Sequence, residues 1–223
     1  MTNFLPLVEK FHSLQGEGFH TGQSAFFIRL AGCSVGCSWC DTKHSWDKEK
    51  YPLIPIKKII DEIKKARKKG ASFLVITGGE PLHHNLDNLC QAINKETSEK
   101  DQNPIKIHIE TSGVNKMSGN YDWITLSPKR HLPPRTYFLK NFNELKIIIN
   151  DKKDIDFAID IKQEIMNKYQ NLSSKDNFYK LDKKYYVQPA WGNASGFLLT
   201  IDFVKNNPEW NLSLQTHKYL KIK

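Results

Sequence analysis

Two patterns of hydrophobic and polar positions alternate along this chain: short apolar runs and longer runs with helical spacing. The apolar runs predict β-strands because they are compact and rich in aromatic and β-branched residues. The predicted strands cover residues 24–30, 73–77, 105–110, 123–126, 144–149, 185–187 and 212–214.

Between these strands, apolar side chains recur every three or four residues, as Ile56, Ile59, Ile60 and Ile63 do with lysines between them. This period predicts amphipathic helices. The predicted helices run from residue 56 to a C-cap at Gly70, from about 85 to 96, from about 155 to 169, and from 196 to 206. The segment 171–184 is polar and is predicted to be an exposed loop. Strands that alternate with helices predict βαβ units, and hence one α/β domain built on a mostly parallel sheet.

The size and composition of the chain agree with one soluble domain. It has 223 residues, 39% of them hydrophobic, which is enough to bury a core without help from a disulfide or a metal. No run approaches the ~18 consecutive apolar residues of a membrane span. The first residues lack the basic and apolar regions of a secretory signal. We therefore expect a cytoplasmic protein without a membrane partner.

The chain carries a net charge of +9, which permits an acidic partner without requiring one. Much of the excess lies on predicted helix faces such as residues 64–69, where solvated lysines are ordinary. No arginine-rich stripe interleaved with aromatic residues is present to grip a single strand. We expect no direct binding to nucleic acid.

Unusual residue clusters follow one predicted strand after another. Cysteines follow the strand 24–30, and the segment Thr77-Gly78-Gly79-Glu80 lies at the end of the next strand. Residues 110–113, 127–129 and 188–189 follow later strands. Because the carboxyl ends of parallel strands meet at one edge of the sheet, these clusters predict a single functional site there.

Three of the four cysteines lie within eight residues, in the spacing Cys33-x3-Cys37-x2-Cys40. The fourth, Cys90, lies on the apolar face of a predicted helix and is expected to pack in the core. Three thiolates on one loop can hold three irons of a cubane iron–sulfur cluster, which leaves the fourth iron open to a small molecule. A closed Cys3His zinc site that includes His44 is the alternative.

The surroundings of the cysteines favour the cluster. Gly32 and Gly36 give a loop able to wrap a bulky group, and the loop caps a parallel sheet. Structural zinc usually organises chains with little core of their own, and this chain has an ample core.

The cysteine motif, followed after the next strand by Gly78-Gly79-Glu80-Pro81, is similar to the radical S-adenosylmethionine (SAM) superfamily. Further segments narrow the match to its 7-carboxy-7-deazaguanine synthase family, from about residue 9 to residue 220. These segments are Leu14-Gln15-Gly16-Glu17-Gly18, Phe27-Ile28-Arg29-Leu30, Cys40-Asp41-Thr42-Lys43-His44, Ile109-Glu110-Thr111-Ser112-Gly113, Ser127-Pro128-Lys129 and Gln215-Thr216-His217-Lys218-Tyr219-Leu220.

The resemblance implies an abbreviated partial (β/α) barrel and a radical carbon–nitrogen lyase. It implies that 6-carboxy-5,6,7,8-tetrahydropterin contracts to 7-carboxy-7-deazaguanine with loss of ammonia, in the biosynthesis of queuosine and related 7-deazapurines. SAM then acts as a catalytic cofactor on a [4Fe–4S] cluster, and no protein side chain is assigned as catalytic. One domain is implied, with a substrate-binding segment at about 9–23 and a tail at about 211–223 that closes the site.

The resemblance also assigns residues to ligands. The cluster ligands are Cys33, Cys37 and Cys40, and the Mg²⁺ ligand is Thr42. The substrate contacts are Leu14, Gln15, Gly16, Glu17, Arg29, Thr77 and His217. The SAM contacts are Gly79, Glu110, Ser127, Pro128, Lys129, Gln188, Pro189, Ala190 and Trp191. Arg29 suits the substrate carboxylate because a guanidinium pairs with it through two donors.

Two other function classes remain open on the sequence alone. One is a radical SAM activase that places a radical on a partner protein, and the other is a zinc-stabilised basic RNA-binding module. If the chain is a member of the synthase family, the expected partners are the pterin substrate, a second copy of the chain in a homodimer, and a flavodoxin- or ferredoxin-type electron donor.

Overall fold

The computed structural model describes residues 3–98, 104–170 and 183–223. The strands of this part of the chain are β1 (Phe4–Leu14), β2 (Ser24–Leu30), β3 (Leu53–Pro55), β4 (Phe73–Gly78), β5 (Lys106–Thr111), β6 (Trp123–Leu126), β7 (Glu144–Ile149), β8 (Lys184–Pro189) and β9 (Asn211–Leu212). Its helices are α1 (Ile56–Lys68), α2 (Asp87–Thr97), α3 (Thr136–Lys140), α4 (Lys152–Gln170), α5 (Ala194–Asn206) and α6 (Thr216–Leu220).

All strands join one sheet in the order β3-β1-β2-β4-β5-β6-β7-β8-β9. The strands from β2 through β4 to β9 are parallel to their neighbours, whereas β1 pairs antiparallel with both β2 and β3. The sheet is open because β3 and β9 lie at opposite edges. This mostly parallel sheet with helices agrees with the α/β fold that the strand pattern predicts and with the abbreviated (β/α) architecture that the resemblance implies, and it has an antiparallel extension at one side.

The first strand is the main element that the sequence pattern misses. The segment Phe4–Leu14 contains Pro6 and the charged residues Glu9 and Lys10, and nine of its eleven residues are partly buried or exposed. It is a strand because its first residues pair with β3 and the rest pair with β2. The predicted strand 24–30 is therefore the second strand.

Smaller departures concern the later elements. The last strand covers Asn211–Leu212 instead of 212–214, and α3 and α6 are additional short helices. The predicted polar loop 171–184 lies outside the described residues except at its end, where Lys184 begins β8.

Alternate side chains of the parallel strands point to opposite faces of the sheet. On the outer face, Leu74 and Ile76 of β4 are fully buried against helices, in one cluster with Ile59 and Ile63 of α1. Cys90 belongs to the same cluster and is 1% exposed, which confirms its predicted place in the core. None of the described helices is long and apolar enough to cross a membrane.

The inner face is apolar where the parallel strands begin. Phe73, the first residue of β4, stacks on His108 with 4.1 Å between ring centroids. Phe11 stacks on Phe27 at 4.9 Å, and His20 of the β1–β2 loop packs on Trp123 at 4.5 Å. These aromatic side chains fill the inner face near the amino ends of the parallel strands. The space left on the inner face is a cavity toward the carboxyl ends of the strands.

Candidate active site

A cavity of about 850 Å³ lies on the inner face, at the edge where the sequence predicts the functional site. Nearly every predicted site residue lines it. The lining includes Leu14, Gln15, Gly16, Glu17, Arg29, Cys33, Cys37, Cys40, Thr42, Thr77, Gly79, Glu110, Ser127, Lys129, Gln188, Pro189, Ala190, Trp191 and His217. Pro128 is the exception, since it is buried and does not line the cavity.

The cysteine loop packs directly on the glycine pair that follows β4. The backbone N–H of Gly79 donates to the carbonyl of Leu30 at 3.0 Å, and that of Glu80 donates to the carbonyl of Gly32 at 2.9 Å. A Cβ atom at Gly79 would lie 2.6 Å from the Gly32 oxygen and 2.8 Å from the Cβ of Cys33. Only glycine fits this contact without displacing the loop.

Glu80 fastens the same segment to the end of β5. Its buried carboxylate accepts hydrogen bonds from the Thr111 hydroxyl at 2.6 Å and from the backbone and hydroxyl of Ser112 at 2.8 and 2.5 Å. It also accepts from the backbone N–H of Leu82 at 3.1 Å. Sequence reasoning assigned Glu80 no role of its own, although a buried carboxylate after two glycines must find partners.

The thiols fit an iron–sulfur cluster better than a closed zinc site. Cys33, Cys37 and Cys40 line the cavity, but His44 is exposed and does not. Within residues 3–98, 104–170 and 183–223, no three His, Cys, Asp or Glu side chains are grouped as ligands of a single ion. Zinc needs all its ligands on one ion, whereas a cubane gives each thiolate its own iron. Burial raises the pKa of the Cys37 thiol, and the Lys129 ammonium acts in the opposite direction.

Arg29 reaches the cavity wall and is also paired. Its Nε donates to Oε1 of Glu9 at 2.9 Å, and its side chain is 18% exposed. Burial raises the pKa of Glu9, but the Arg29 guanidinium and the Lys223 ammonium outweigh burial, and the net shift is downward. The guanidinium thus occupies the predicted place with its orientation fixed by a carboxylate.

Glu110 at the end of β5 has two neutral partners. The Thr77 hydroxyl donates to its Oε2 at 3.0 Å, and the Gln15 amide donates to its Oε1 at 3.1 Å. The sequence predicts that a carboxylate at this strand end needs a partner, and Thr77 and Gln15 are the partners in the structure.

The floor of the cavity holds a buried ion pair that sequence reasoning missed. Lys146 of β7 donates to Oε2 of Glu17 at 2.5 Å, and the Gln215 amide donates to Oε1 at 2.8 Å. Burial raises the pKa of Glu17, but the Lys146 ammonium and these hydrogen bonds outweigh it, and the pKa falls to about 2. The Glu17 side chain is therefore an ionised carboxylate at pH values near neutrality.

The C-terminal segment crosses the cavity and bonds to the β1–β2 loop. The backbone N–H and hydroxyl of Thr216 donate to the carbonyl of Gly16 at 2.9 and 3.0 Å. A Cβ atom at Gly16 would collide with the ring of His217. The Lys218 ammonium donates to Oδ2 of Asp41, beside the cysteine loop, at 2.8 Å. The segment thus connects the floor of the cavity to its cysteine side.

The opposite wall consists of the ends of β6 and β8. The Lys129 ammonium donates to the Ser127 hydroxyl at 2.7 Å, and burial lowers the pKa of Lys129. Gln188 is buried and accepts a hydrogen bond from the Ser213 hydroxyl at 2.6 Å. Trp191 is 51% exposed and lines the cavity, with the Lys218 ammonium 5.1 Å from the centroid of its ring.

Comparisons with known proteins agree with this geometry. The profile of the Radical SAM superfamily matches residues 27–128. The 7-carboxy-7-deazaguanine synthase of Prochlorococcus marinus is 46% identical over the whole of both chains. That of Flavobacterium psychrophilum is 40% identical and covers 98% of this chain and 92% of its own. This chain belongs to the 7-carboxy-7-deazaguanine synthase family.

A solved structure of the family has the same fold. The crystal structure of QueE from Escherichia coli matches with a TM-score of 0.75 and 30% identity, over 96% of this chain and 95% of that one. The predicted resemblance and fold are confirmed. The radical SAM superfamily implies a [4Fe–4S] cluster and SAM, so family membership also weighs against the zinc-stabilised RNA-binding alternative.

Proposed function

We propose that this chain is an enzyme that contracts 6-carboxy-5,6,7,8-tetrahydropterin to 7-carboxy-7-deazaguanine with loss of ammonia, for queuosine biosynthesis. One observation carries the proposal beyond family membership: a single cavity contains three disulfide-free thiols at one side and a charged, hydrogen-bonding floor at the other. A protein-activating enzyme would need an open approach for a polypeptide, and here the C-terminal segment crosses the cavity.

Each side of the cavity has a proposed ligand. Cys33, Cys37 and Cys40 hold the cluster, which together with SAM supplies the one-electron chemistry for removing a hydrogen atom from the substrate. Gly79 lines the cavity and packs on Cys33, so its main chain is proposed to meet the methionyl group of SAM beside the cluster. Further proposed SAM contacts are Glu110, Ser127, Lys129, Gln188, Pro189, Ala190 and Trp191, all of which line the cavity. Pro128 does not line the cavity and is not retained as a contact.

The substrate contacts follow from the charge of the floor and wall. The Arg29 guanidinium is proposed to bind the substrate carboxylate. Gln15 and Glu17 offer an amide and an ionised carboxylate to the amide and amine groups of the pterin. Leu14, Gly16, Thr77 and His217 complete the proposed substrate pocket. Hydrogen bonds fix the side chains of Arg29, Gln15, Glu17 and Thr77, so these groups can keep the substrate in one orientation.

The direct test is a turnover assay under anaerobic conditions. Reconstituted protein, SAM, a one-electron reductant and 6-carboxy-5,6,7,8-tetrahydropterin should give 7-carboxy-7-deazaguanine and ammonia, both measured against time. SAM should be recovered intact, so that less than one equivalent of SAM is lost for each equivalent of product formed. Product formation only with stoichiometric loss of SAM would contradict the catalytic role of SAM, and no product would contradict the proposed reaction.

Arg29→Lys tests the proposed carboxylate contact. Lysine keeps the charge but loses the planar pair of donors, so we expect the KM for the pterin to rise about tenfold. Binding of SAM should be unchanged. The comparison variant is Lys64→Arg, which alters an exposed ion pair on α1. An unchanged KM in Arg29→Lys would show that Arg29 only fastens Glu9.

A magnesium ion is proposed at Thr42. The Thr42 side chain lines the cavity beside the cysteine loop, with its hydroxyl 3.5 Å from the Cys40 sulfur. Mg²⁺ prefers hard oxygen ligands and keeps several waters, so one hydroxyl can suffice if the substrate supplies further oxygens. The ion would orient the substrate carboxylate and stabilise charge.

Thr42→Ala should therefore retain iron and still cleave SAM in the absence of pterin. We expect turnover to fall about tenfold, and the Mg²⁺ concentration for half-activation to rise. Titration of activity with Mg²⁺ checks this. Loss of iron with an unchanged Mg²⁺ dependence would mean that Thr42 serves the cysteine loop instead.

The remaining partners are proposed from charge and family. A flavodoxin- or ferredoxin-type donor suits a chain with a net charge of +9, because such donors are acidic and opposite charges steer docking. We further propose a homodimer in the cytoplasm, with no membrane and no direct nucleic-acid partner. Reduction rates that do not change with ionic strength would contradict electrostatic docking.

A further inference from the structure

The buried ion pair on the floor of the cavity has a role that the proposed contacts do not include. Lys146 is the third residue of β7, and its neighbours Leu145 and Ile147 are almost completely buried in the outer core. Hydrogen bonding between β7 and β8 further fixes the backbone, with Lys146 opposite Tyr186. The ammonium therefore projects into the cavity from a rigid strand.

Glu17 has the opposite setting. It lies in the loop between β1 and β2, without a strand to fix its backbone. Its carboxylate is fixed instead by the Lys146 ammonium and the Gln215 amide, one on each oxygen. The side chain of Lys146 is only 6% exposed and that of Glu17 17%. A charge-assisted bond at such burial fixes the direction of a carboxylate more firmly than a bond in water would.

We propose that Lys146 is a positioning residue that holds the Glu17 carboxylate in the orientation from which it accepts hydrogen bonds from the N–H groups of the substrate. The inference rests on the proposed function, because it names what orients one of the proposed substrate contacts. Lys146 itself acts through Glu17.

The surroundings of the pair decide what its loss would do. The titratable and hydrogen-bonding groups that face Glu17 and Lys146 are Glu110 of β5, Lys129 after β6, Glu144 of β7, and Gln215 and His217 of the C-terminal segment. Burial lowers the pKa of Lys146, but the three carboxylates outweigh burial and raise the pKa, so Lys146 keeps its proton. Without that ammonium, burial raises the pKa of Glu17, and the main downward cause is lost; the Gln215 hydrogen bond and His217 act against burial.

The experiment compares Lys146→Met with the wild-type enzyme in its cluster-loaded form. We expect the KM for the pterin to rise about 30-fold. SAM cleavage in the absence of pterin and the iron content should stay near the wild-type values, because neither involves Glu17. The matched control is Lys168→Met, which removes a lysine–glutamate pair on the exposed side of α4. It should leave all these quantities unchanged.

The pH profile separates positioning from a general loss of structure. Wild-type kcat/KM should show no limb from Glu17 between about pH 5.5 and 8.5, since this carboxylate stays ionised there. In Lys146→Met, kcat/KM should fall as the pH falls through the raised pKa of Glu17. Adding Glu17→Gln to Lys146→Met should remove that limb and cost little further, because both changes act on one contact.

Each outcome decides the inference. A normal KM and an unchanged pH profile in Lys146→Met would overturn it, as would fully additive losses in the double variant. If Lys146→Met fails to fold, Lys146→Arg replaces it. The retained charge should leave the acid side of the pH profile as it is in the wild-type enzyme, while the altered reach raises KM, and a normal KM would overturn the inference. Failure of the proposed function looks different, because the wild-type enzyme itself would then make no product.

Discussion

Replacement of any one of Cys33, Cys37 and Cys40 by alanine is expected to abolish turnover. In the proposed assignment each thiolate ligates a different iron of the cluster, so the loss of one thiolate would leave the cluster without one of its three protein ligands. We expect activity to fall by about 10³-fold or more, together with most of the bound iron. Iron and acid-labile sulfide analysis after anaerobic reconstitution, and assay of SAM cleavage, measure the two effects.

Cys90→Ser is the matched control for these variants. Cys90 is buried in the outer core, away from the cavity, and burial raises the pKa of its thiol to about 11. The serine variant should keep the cluster and turnover, with a loss of about 1–3 kcal/mol in the free energy of unfolding. Full activity in any of the three cavity variants, or loss of iron in Cys90→Ser, would contradict the assignment of the cluster.

Gly79→Ala is expected to have the next largest effect. The added methyl group would press on the Gly32 carbonyl and on the Cβ of Cys33, at 2.6 and 2.8 Å. The cysteine loop must then move away from the end of β4, and a shift near 1 Å in a reacting group can cost about 100-fold in rate. We expect weaker SAM binding and an altered electron paramagnetic resonance spectrum of the reduced cluster.

Gly70→Ala separates this effect from the general cost of replacing a glycine. Gly70 ends the turn after α1 with φ = 100°, and a Cβ atom there would meet nothing within 4 Å. Its cost of about 1–2 kcal/mol is backbone strain alone. It should therefore lower the melting temperature and leave the spectrum and the KM for SAM unchanged. A similar loss of activity in both variants would argue against the specific contact at Gly79.

The local pattern of the chain was sufficient for most of the fold. The parallel strands are short apolar runs such as Phe73–Gly78, in which every residue is buried, and α1 shows the spacing of a helix with one buried face. Both features are encoded within a few consecutive residues, so they can be predicted without knowing which other segments of the chain they pack against. The same applies to the cysteine spacing and to the polar clusters that end successive strands.

The strand β1 and the later short elements depend on contacts between distant segments. Phe4–Leu14 alternates poorly and contains Pro6, and only its pairing with β2 and β3 makes it a strand. Propensity is a weak guide in such a case, because cross-strand partners supply the stabilisation.

The functional groups also fall into those that the sequence predicts and those that only the tertiary structure reveals. The sequence by itself determined the family, the three thiols and the edge of the sheet where the cavity lies, because these follow from short motifs and from the direction of parallel strands. Only the tertiary structure decided that Lys146 meets Glu17, 129 residues away, that Gln215 bonds to the same carboxylate, and that Glu9 fixes Arg29. The physical reason is that these pairs depend on strand register and loop closure, which place side chains with no local signal within hydrogen-bonding distance.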